Sequence, residues 1–311
     1  MTLFNNLETG ALLSPMSGIT DVAFRSLCSE YGADITYTEF THSSSILNGD
    51  DKLRIKRSPE EKIVGCQLFG NNVEEVVEAA TYVQDRFDLI DVNCGCPAWK
   101  VIKSGSGSAL LNNPEKIYRL IKKLVDAVDI PVTLKIRTGV DEHSINALNV
   151  ARAAQRAGAQ AIAIHGRTTK QGYSGKADWD IIKQVKEEID IPVIGNGDVF
   201  TPEQYKKRMK QTGVDAIMLA RGAMGNPYLF KQIKEYLAEG EYNTSKRLGA
   251  FFEYYEKAEQ YGIETMNIKK QAMQFTKGLR GGSKVRKKLT EARSKEEIYG
   301  VVNSVENPEF T

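Results

Sequence analysis

The sequence predicts an α/β fold, a (β/α)8 TIM barrel followed by a small C-terminal helical bundle, and three observations lead there. Short β-rich apolar runs alternate with longer amphipathic segments, the pattern of βα units around a parallel sheet. Eight such runs occur, at Ala11–Met16, Ile35–Glu39, Ile63–Leu68, Leu89–Asn93, Val132–Ile136, Ala161–His165, Val193–Asn196 and Ala216–Ala220. The alternation covers roughly 240 residues, the usual extent of such a barrel. It stops after Ala238, where only helical patterns follow.

Between the strands, helices are expected at Asp21–Tyr31, Val73–Arg86, Pro114–Val128, Asn146–Ala157, Trp179–Glu187 and Pro202–Gln211. Beyond the barrel, Lys246–Tyr261, Asn267–Thr276, Ser283–Ala292 and Ser294–Val302 read as helices, separated by Gly262 and the Gly278–Gly282 turn region. The expected division is residues 1–243 for the barrel and 244–311 for a helical domain, with a polar, frayed tail after Asn303.

The strands also indicate which way they face. In Leu89-Ile-Asp-Val-Asn93, alternation puts Ile90 and Val92 on one side and Asp91 and Asn93 on the other. In Val132–Arg137, Leu134 and Ile136 oppose Lys135 and Arg137; in Ala161–His165, two isoleucines oppose Ala161, Ala163 and His165. Gln67 ends the small-residue face of its strand. With the bulky face on the outer helices, Gln67, Asn93, Lys135 and His165 converge at the C-terminal mouth, where barrel enzymes place their chemistry. A satisfied core polar group would explain any one of these, but four strands ending alike point to a site.

Composition limits the classes that remain. Hydrophobic residues make up 41% and charged residues 26% of the 311, and no run approaches the ~20 apolar residues of a membrane span. The start, Met-Thr-Leu-Phe-Asn-Asn, lacks the basic and apolar parts of a secretion signal, so a cytoplasmic location is expected. Four cysteines, Cys28, Cys66, Cys94 and Cys96, are too sparse for a disulfide framework. A zinc reading of Cys94-Gly-Cys96 fails for want of ligands, since His42, His143 and His165 lie in unrelated segments; no metal is expected. The net charge of +2 hides an asymmetry. Lys269–Arg293 holds nine Lys or Arg against Glu291 alone, which is +8, and leaves −6 for the rest. Such a terminal block suggests a polyanion partner, although a charge run by itself is more often a solvated helical face.

Two features carry chemistry. In Asn93-Cys-Gly-Cys-Pro97 a cysteine leaves an apolar strand into a Gly/Pro turn at the mouth, so the Cys96 thiol can reach a ligand while Cys28 and Cys66 read as packing. Cys96 can serve as nucleophile or proton donor. With a free-thiol pKa of about 8.5 and no histidine on its loop to act as base, donor is favoured. Late in the barrel, Gly195-Asn-Gly-Asp198 and Leu219-Ala-Arg-Gly-Ala-Met-Gly225, the latter leading into a helix, offer backbone N–H groups to a phosphate, with Arg221 adding a charged contact.

These residues resemble a family. Ser14-Pro-Met-Ser-Gly-Ile-Thr-Asp-Val-Ala-Phe-Arg25, Asp91-Val-Asn-Cys-Gly-Cys-Pro97, Gly105-Ser-Gly-Ser-Ala-Leu-Leu111, Lys135-Ile-Arg137, His165-Gly-Arg-Thr168, Asn196-Gly-Asp198 and Arg221-Gly-Ala223 are similar, in order, to the motifs of FMN-dependent tRNA-dihydrouridine synthases. The resemblance runs from about residue 11 to the end of the basic block. It implies FMN held by Pro15, Met16, Ser17, Gln67, Lys135 and His165 around the ring and by Asn196, Gly197, Asp198, Ala220 and Arg221 toward the phosphate, with Cys96 as the catalytic cysteine. It further implies that NADPH reduces FMN, that hydride then passes to carbon six of a D-loop uracil in tRNA, and that Cys96 protonates carbon five. Lys135 would stabilise the reduced ring, and Asn93 and Arg167 are candidates to hold the uracil. An extruded base costs a few kcal/mol of unstacking, which the basic lobe, with Lys284, Lys287 and Lys288 on one helical stripe, would offset by gripping phosphates. The chain departs from the pattern at Ala220, where relatives commonly have glycine, and Trp99 and Lys103–Ser106 fall in a variable loop. Two rivals are weighed: a small-molecule FMN barrel enzyme of the dihydroorotate or dihydropyrimidine dehydrogenase type, and an RNA-binding module on an inactive barrel. The first has no need of the basic block; the second has no need of Cys96, Lys135 and His165.

Overall fold

The computed structural model describes residues 3–49, 54–244 and 247–306. Its strands are β1 (Ala11–Leu13), β2 (Thr36–Tyr37), β3 (Thr41–His42), β4 (Val64–Phe69), β5 (Leu89–Cys94), β6 (Val132–Arg137), β7 (Ala161–His165), β8 (Val193–Asn196) and β9 (Ala216–Leu219). All pairings are parallel, in the order β1-β9-β8-β7-β6-β5-β4-β2, with β3 continuing beside β4. Leu12 bridges Ile35, and Leu13 N–H donates to the Ile35 carbonyl at 2.9 Å, so the sheet nearly closes on itself. Counting β2 and β3 as one broken stave, this is the eight-stranded barrel that the alternation predicts.

Three strands stop earlier than expected. The first stops at Leu13 rather than Met16, because Pro15 has no N–H for the ladder and the Met16 carbonyl turns to accept from Ile19 and Thr20. The second breaks after Tyr37. There the Gln67 amide donates to the Thr38 hydroxyl (3.0 Å) instead of a backbone carbonyl, and the Glu39 carboxylate accepts from Gly18 N–H (2.7 Å). The last ends at Leu219, one residue short of Ala220.

Around the barrel lie α1 (Val22–Glu30), α2 (Ser43–Leu47), α3 (Val73–Val83), α4 (Trp99–Lys103), α5 (Pro114–Ala127), α6 (Ala147–Ala157), α7 (Trp179–Glu188), α8 (Pro202–Thr212) and α9 (Leu229–Glu239). Their ends follow local rules. Asp21, Asn113 and Thr201 cap N-termini by accepting from Phe24, Lys116 and Gln204 N–H, and Gly158, Gly213 and Gly240 end helices in the left-handed region. The five-residue α2 and α4 were not expected; they are too short for a helical period to show.

The facing is as the alternation predicts. Ile90, Val92, Leu134, Ile136, Ile162 and Ile164 share one core with Ala79, Leu120, Val150 and Ile182 of the outer helices. Inside the barrel, Leu12, Tyr37, Leu89, Ala163 and Met218 pack with Phe4 as a second cluster. The lumen is thus a filled core, and only its C-terminal end is left to the polar residues.

Four further helices follow: α10 (Arg247–Tyr261), α11 (Thr265–Phe275), α12 (Gly282–Glu291) and α13 (Lys295–Asn303). The expected start at Lys246 and the tail beyond Glu306 lie outside the described residues, and Ser304–Glu306 forms a single 3-10 turn. The bundle shares a continuous core with the barrel, through Phe251, Tyr254 and Phe275. Its polar seam falls on the β1–α1 loop: Tyr254 donates to Asp21 at 3.0 Å and Gln271 Nε2 to the Ile19 carbonyl at 2.6 Å. Burial pushes the Asp21 carboxyl up to about 6. Gly225, at φ +63°, allows the closest approach, since a Cβ there would stand 2.5 Å from Gln274 backbone. Among the described residues no helix is long and apolar enough to cross a membrane.

Candidate active site

At the C-terminal ends of the strands lies a cavity of about 430 Å³, within the range of small-molecule sites. Pro15, Met16, Ser17, Asn93, Cys96, Lys135, His165, Asn196, Gly197, Asp198, Ala220 and Arg221 all line it. Loops after β1, β5, β6, β7, β8 and β9 thus bring together residues up to some two hundred positions apart in the chain, as a parallel barrel must.

Gln67 and Arg167 do not line the cavity. Gln67 is fully buried in a hydrogen-bonded chain that ends at the cysteine loop. Thr133 donates to Asp91 Oδ1 (2.6 Å), Gln67 Nε2 to Asp91 Oδ2 (2.6 Å) and Asn93 Nδ2 to Gln67 Oε1 (2.8 Å). Asn93 Oδ1 then accepts the backbone N–H groups of Gly95 (3.2 Å) and Cys96 (2.9 Å). An ionised carboxylate only accepts, so Asp91 fixes which way both amides face. The result is an acceptor, not a donor, under the Cys96 turn. Burial pushes the Asp91 carboxyl up to about 6, against the pull of the Gln67 and Thr133 bonds and the Lys135 charge.

Arg167 sits behind the wall. Its guanidinium takes Asp198 with two N–H donors (2.9 and 2.8 Å) and donates to the carbonyls of Ser174 (3.0 Å) and Gly175 (2.6 Å). Asp198 also accepts from Arg221 Nη2 (2.6 Å) and Ala177 N–H (2.8 Å). The Asp198 carboxyl is held below the usual carboxylate range: burial opposes this, and the bonds from Arg167 and Ala177 outweigh it. It thereby holds Arg221, whose guanidinium lies 5.0 Å from the Tyr173 ring centre and 5.7 Å from that of Phe200. Asp198 has a positive φ of 52°, uncommon for a non-glycine residue and typical of functional turns.

The same two loops offer an anion site. Among the described residues, the backbone N–H groups of Gly197, Asp198 and Val199, and of Arg221 and Gly222, make no hydrogen bond within the chain, and all five residues line the cavity. Clustered free N–H groups of this kind form a phosphate cradle.

Lys135 occupies the centre, half-buried, with Nζ 3.2 Å from Asn196 Oδ1. Burial brings its ammonium down to about 8, and neighbouring Arg137 adds to the shift. His165 is brought down to about 2 by burial and by the charges of Lys135, Arg137, Arg167 and Arg221, so it is neutral. Arg167 Nη1 stands 3.5 Å from its Nε2, and since arginine only donates the contact suits an accepting Nε2. Cys96, partly exposed, has its thiol pushed up by burial more than Lys135 and Arg137 pull it down. It is a protonated thiol at neutral pH. Cys94, two residues earlier, faces the outer core and is buried, its thiol driven up beyond the ordinary range.

Sequence reasoning gave no role to Arg137. It lines the cavity and is pinned by three carbonyls, Nε to Gly95 (3.0 Å) and Nη1 to Thr168 (2.8 Å) and Gly172 (2.9 Å). The signal was present, since alternation places it on the face of Lys135. Phe40, Tyr173 and Phe200 were missed because loop aromatics carry no period. Among the described residues no group of three or more His, Cys, Asp or Glu could hold a metal.

Fold and site define a (β/α)8-barrel enzyme with its chemistry at the strand C-termini. The family described as Dihydrouridine synthase (Dus) matches residues 12–307, and the chain belongs to it. It is 42% identical over 237 residues to a tRNA-dihydrouridine synthase B of Vibrio vulnificus (strain CMCP6), covering 75% of this chain and 74% of that protein. It is 38% identical over 266 residues to one of Pasteurella multocida (strain Pm70), covering 83% and 80%. Among solved structures, histamine dehydrogenase from Rhizobium sp. 4-9 superposes with a TM-score of 0.55 at 14% identity, over 80% of this chain and 49% of that one, a likeness of fold alone.

Proposed function

We propose that this protein is an FMN-dependent, NADPH-driven tRNA-dihydrouridine synthase that reduces a D-loop uridine in tRNA to 5,6-dihydrouridine in the cytoplasm. The observation that carries the reading is one cavity holding a protonated thiol, a half-buried lysine and a cradle of free backbone N–H groups. The donor set fits FMN: the cradle and Arg221 suit its phosphate, and Lys135, His165, Asn196 and the Pro15–Ser17 turn suit its ring. When bound, FMN supplies the hydride that adds to carbon six of the uracil.

The chain's own residues do the rest. Cys96 gives its Sγ proton to carbon five, and the thiolate is reprotonated from solvent. Asn93 holds the Cys96 turn through two backbone N–H groups and stands beside the base. Lys135 places its positive charge where the reduced ring is anionic. Gln67 acts through Asn93, and Arg167 acts through Asp198 by aiming Arg221. Residues 1–243 carry the chemistry. Residues 244–311 bind the RNA, with Lys284, Lys287 and Lys288 on the exposed side of α12, opposite buried Val285 and Leu289.

A small-molecule dehydrogenase has no use for that exposed stripe. The test is twofold: the purified protein should carry or take up FMN, and tRNA from a strain lacking it should lose dihydrouridine at one D-loop position or more. A colourless protein that ignores added FMN, or an unchanged dihydrouridine map, would sink the proposal.

A further inference from the structure

Trp99 is 69% exposed, the most exposed of the large hydrophobic side chains described. Its place in the chain is informative. Cys96, Pro97 and Ala98 line the cavity, and Trp99 follows directly as the first residue of α4. Consecutive Cα atoms are about 3.8 Å apart, so the indole is rooted on the rim, although Trp99 itself is not among the lining residues. Whatever it touches is therefore next to the reacting base rather than the base itself. The segment after α4 returns to the cysteine loop, with Ser108 N–H of the 3-10 turn Gly107–Asn112 donating to the Cys96 carbonyl at 3.2 Å, so the rim is built and not a loose tip.

The surroundings of the indole are cationic. Lys103 Nζ lies 4.8 Å from the ring centre, and Lys100 and Lys103 are both exposed. An exposed aromatic ring among lysines, at the edge of a base-sized cavity, suits a single-stranded nucleic acid: π-faces stack on bases and ammonium groups meet phosphates. Tyr82 with Arg86 gives a comparison of the same type, exposed at 64% with its cation 5.3 Å from the ring, but on α3 and away from the lining residues. On the other side of the mouth, the Tyr173 and Phe200 rings already carry Arg221. Extruding a uridine leaves the bases beside it without a stacking neighbour, and Trp99, exposed on the rim with exposed Lys103 beside its ring, is placed to replace it.

We propose that Trp99 is a stacking platform for a nucleobase flanking the extruded uridine, so that the aromatic rim after β5 reads the RNA next to the target. This rests on the tRNA reading above. It gives Trp99 a role separate from the phosphate grip of the bundle, because stacking releases no counterions while phosphate contacts do.

The test uses the full-length FMN-bound protein and an unmodified tRNA transcript. The chain has two tryptophans, and Trp179 is 3% exposed, so the exposed component of the emission belongs to Trp99. Adding tRNA should quench that component in the parent and not in Trp99→Phe. Trp99→Ala should bind tRNA about tenfold more weakly with the parent's slope of log affinity against log salt; Trp99→Phe should recover most of the loss. Flavin reduction by NADPH should be unchanged in both. Unquenched emission at saturating tRNA, or parental affinity in Trp99→Ala, would overturn the platform alone. A flattened slope would overturn it in favour of phosphate contacts. A parent that does not bind tRNA would overturn the tRNA reading and this one with it.

Discussion

The barrel mouth and the helical bundle are both rich in cations, yet they hold them in opposite ways. In and behind the mouth, Arg137 is fixed by three carbonyls, Arg167 by a carboxylate and two carbonyls, and half-buried Lys135 stands against Asn196. In the bundle, Lys284, Lys287 and Lys288 project from the exposed side of α12. Fixed charge lining a pocket suits a reaction that needs positions held to a fraction of an ångström. Exposed ammonium groups suit a phosphate backbone that only needs to be gripped. The two regions meet at the β1–α1 loop, where Lys270 of α11 lies over Gly18 and the neighbouring residues Ser17 and Ile19 line the cavity. RNA held by the bundle is thereby held beside the mouth.

The sharpest division is between two cysteines of one turn. Cys96→Ala should leave flavin bound and reducible by NADPH while uridine reduction falls about 10²–10⁴-fold, the usual weight of a general acid. Cys94→Ala trims only the outer core and should keep most activity with a modest loss of stability. Rapid-mixing measurements of the two half-reactions separate them. Equal defects in both variants would remove the distinction.

Next in size is the carboxylate beneath the turn. Asp91→Asn frees Gln67 to flip, so Asn93 no longer has to present its oxygen to the Gly95 and Cys96 N–H groups. Uridine reduction should fall about 10²-fold with a far smaller change in flavin reduction, since geometry at the donor is what suffers. Asp91→Asn/Gln67→Glu restores an acceptor facing Asn93 and should regain part of the rate. If the double variant is no better than the single one in a folded, flavin-bound protein, the relay has no such role.

How much of this was legible in the sequence depended on whether the information was local. Alternation in β5, β6 and β7 exposed the inward positions Asn93, Lys135 and His165, because a period of two is written within five residues. The break at Tyr37 was invisible. It depends on Thr38 and Glu39 finding partners at Gln67 and Gly18, in other βα units. For the same reason the bonds of Gln67 to Asn93 and of Arg167 to Asp198 could not be read from the sequence, because they are set by partners distant in it. The bundle's helices were legible from their periods, and their fusion to the barrel core through Tyr254 and Phe275 was not.

Smaller again is the effect of pH on the fixed charge. With its ammonium brought down to about 8, Lys135 is protonated at pH 7 and loses its charge as pH rises through that value. Flavin reduction should therefore decline about tenfold between pH 7 and pH 9 as the charged fraction falls. Lys135→Arg, which stays charged there, should abolish the decline even if its absolute rate is lower. A parent profile flat from pH 7 to 9 would show that the charge at this position does not assist the ring.

The least effect, and the one most dependent on conditions, belongs to the exposed stripe. Each Lys in contact with phosphate releases counterions, worth about −0.9 in the slope of log affinity against log salt for a DNA duplex and about −0.7 for single strands. Replacing Lys284, Lys287 and Lys288 by alanine should flatten the slope by about two. Affinity should fall at low salt and converge on the parent as salt rises, because the lost term is itself screened. FMN content and NADPH oxidation with a small acceptor should be unchanged, since α12 lies outside the cavity. Set beside Trp99→Ala, for which a loss of similar size with an unaltered slope is expected, this variant separates grip from stacking on the same RNA. Titrations of the triple variant and the parent that coincide at every salt concentration would show the stripe to be a solvated helix face and would leave RNA binding to the remaining cations of the bundle.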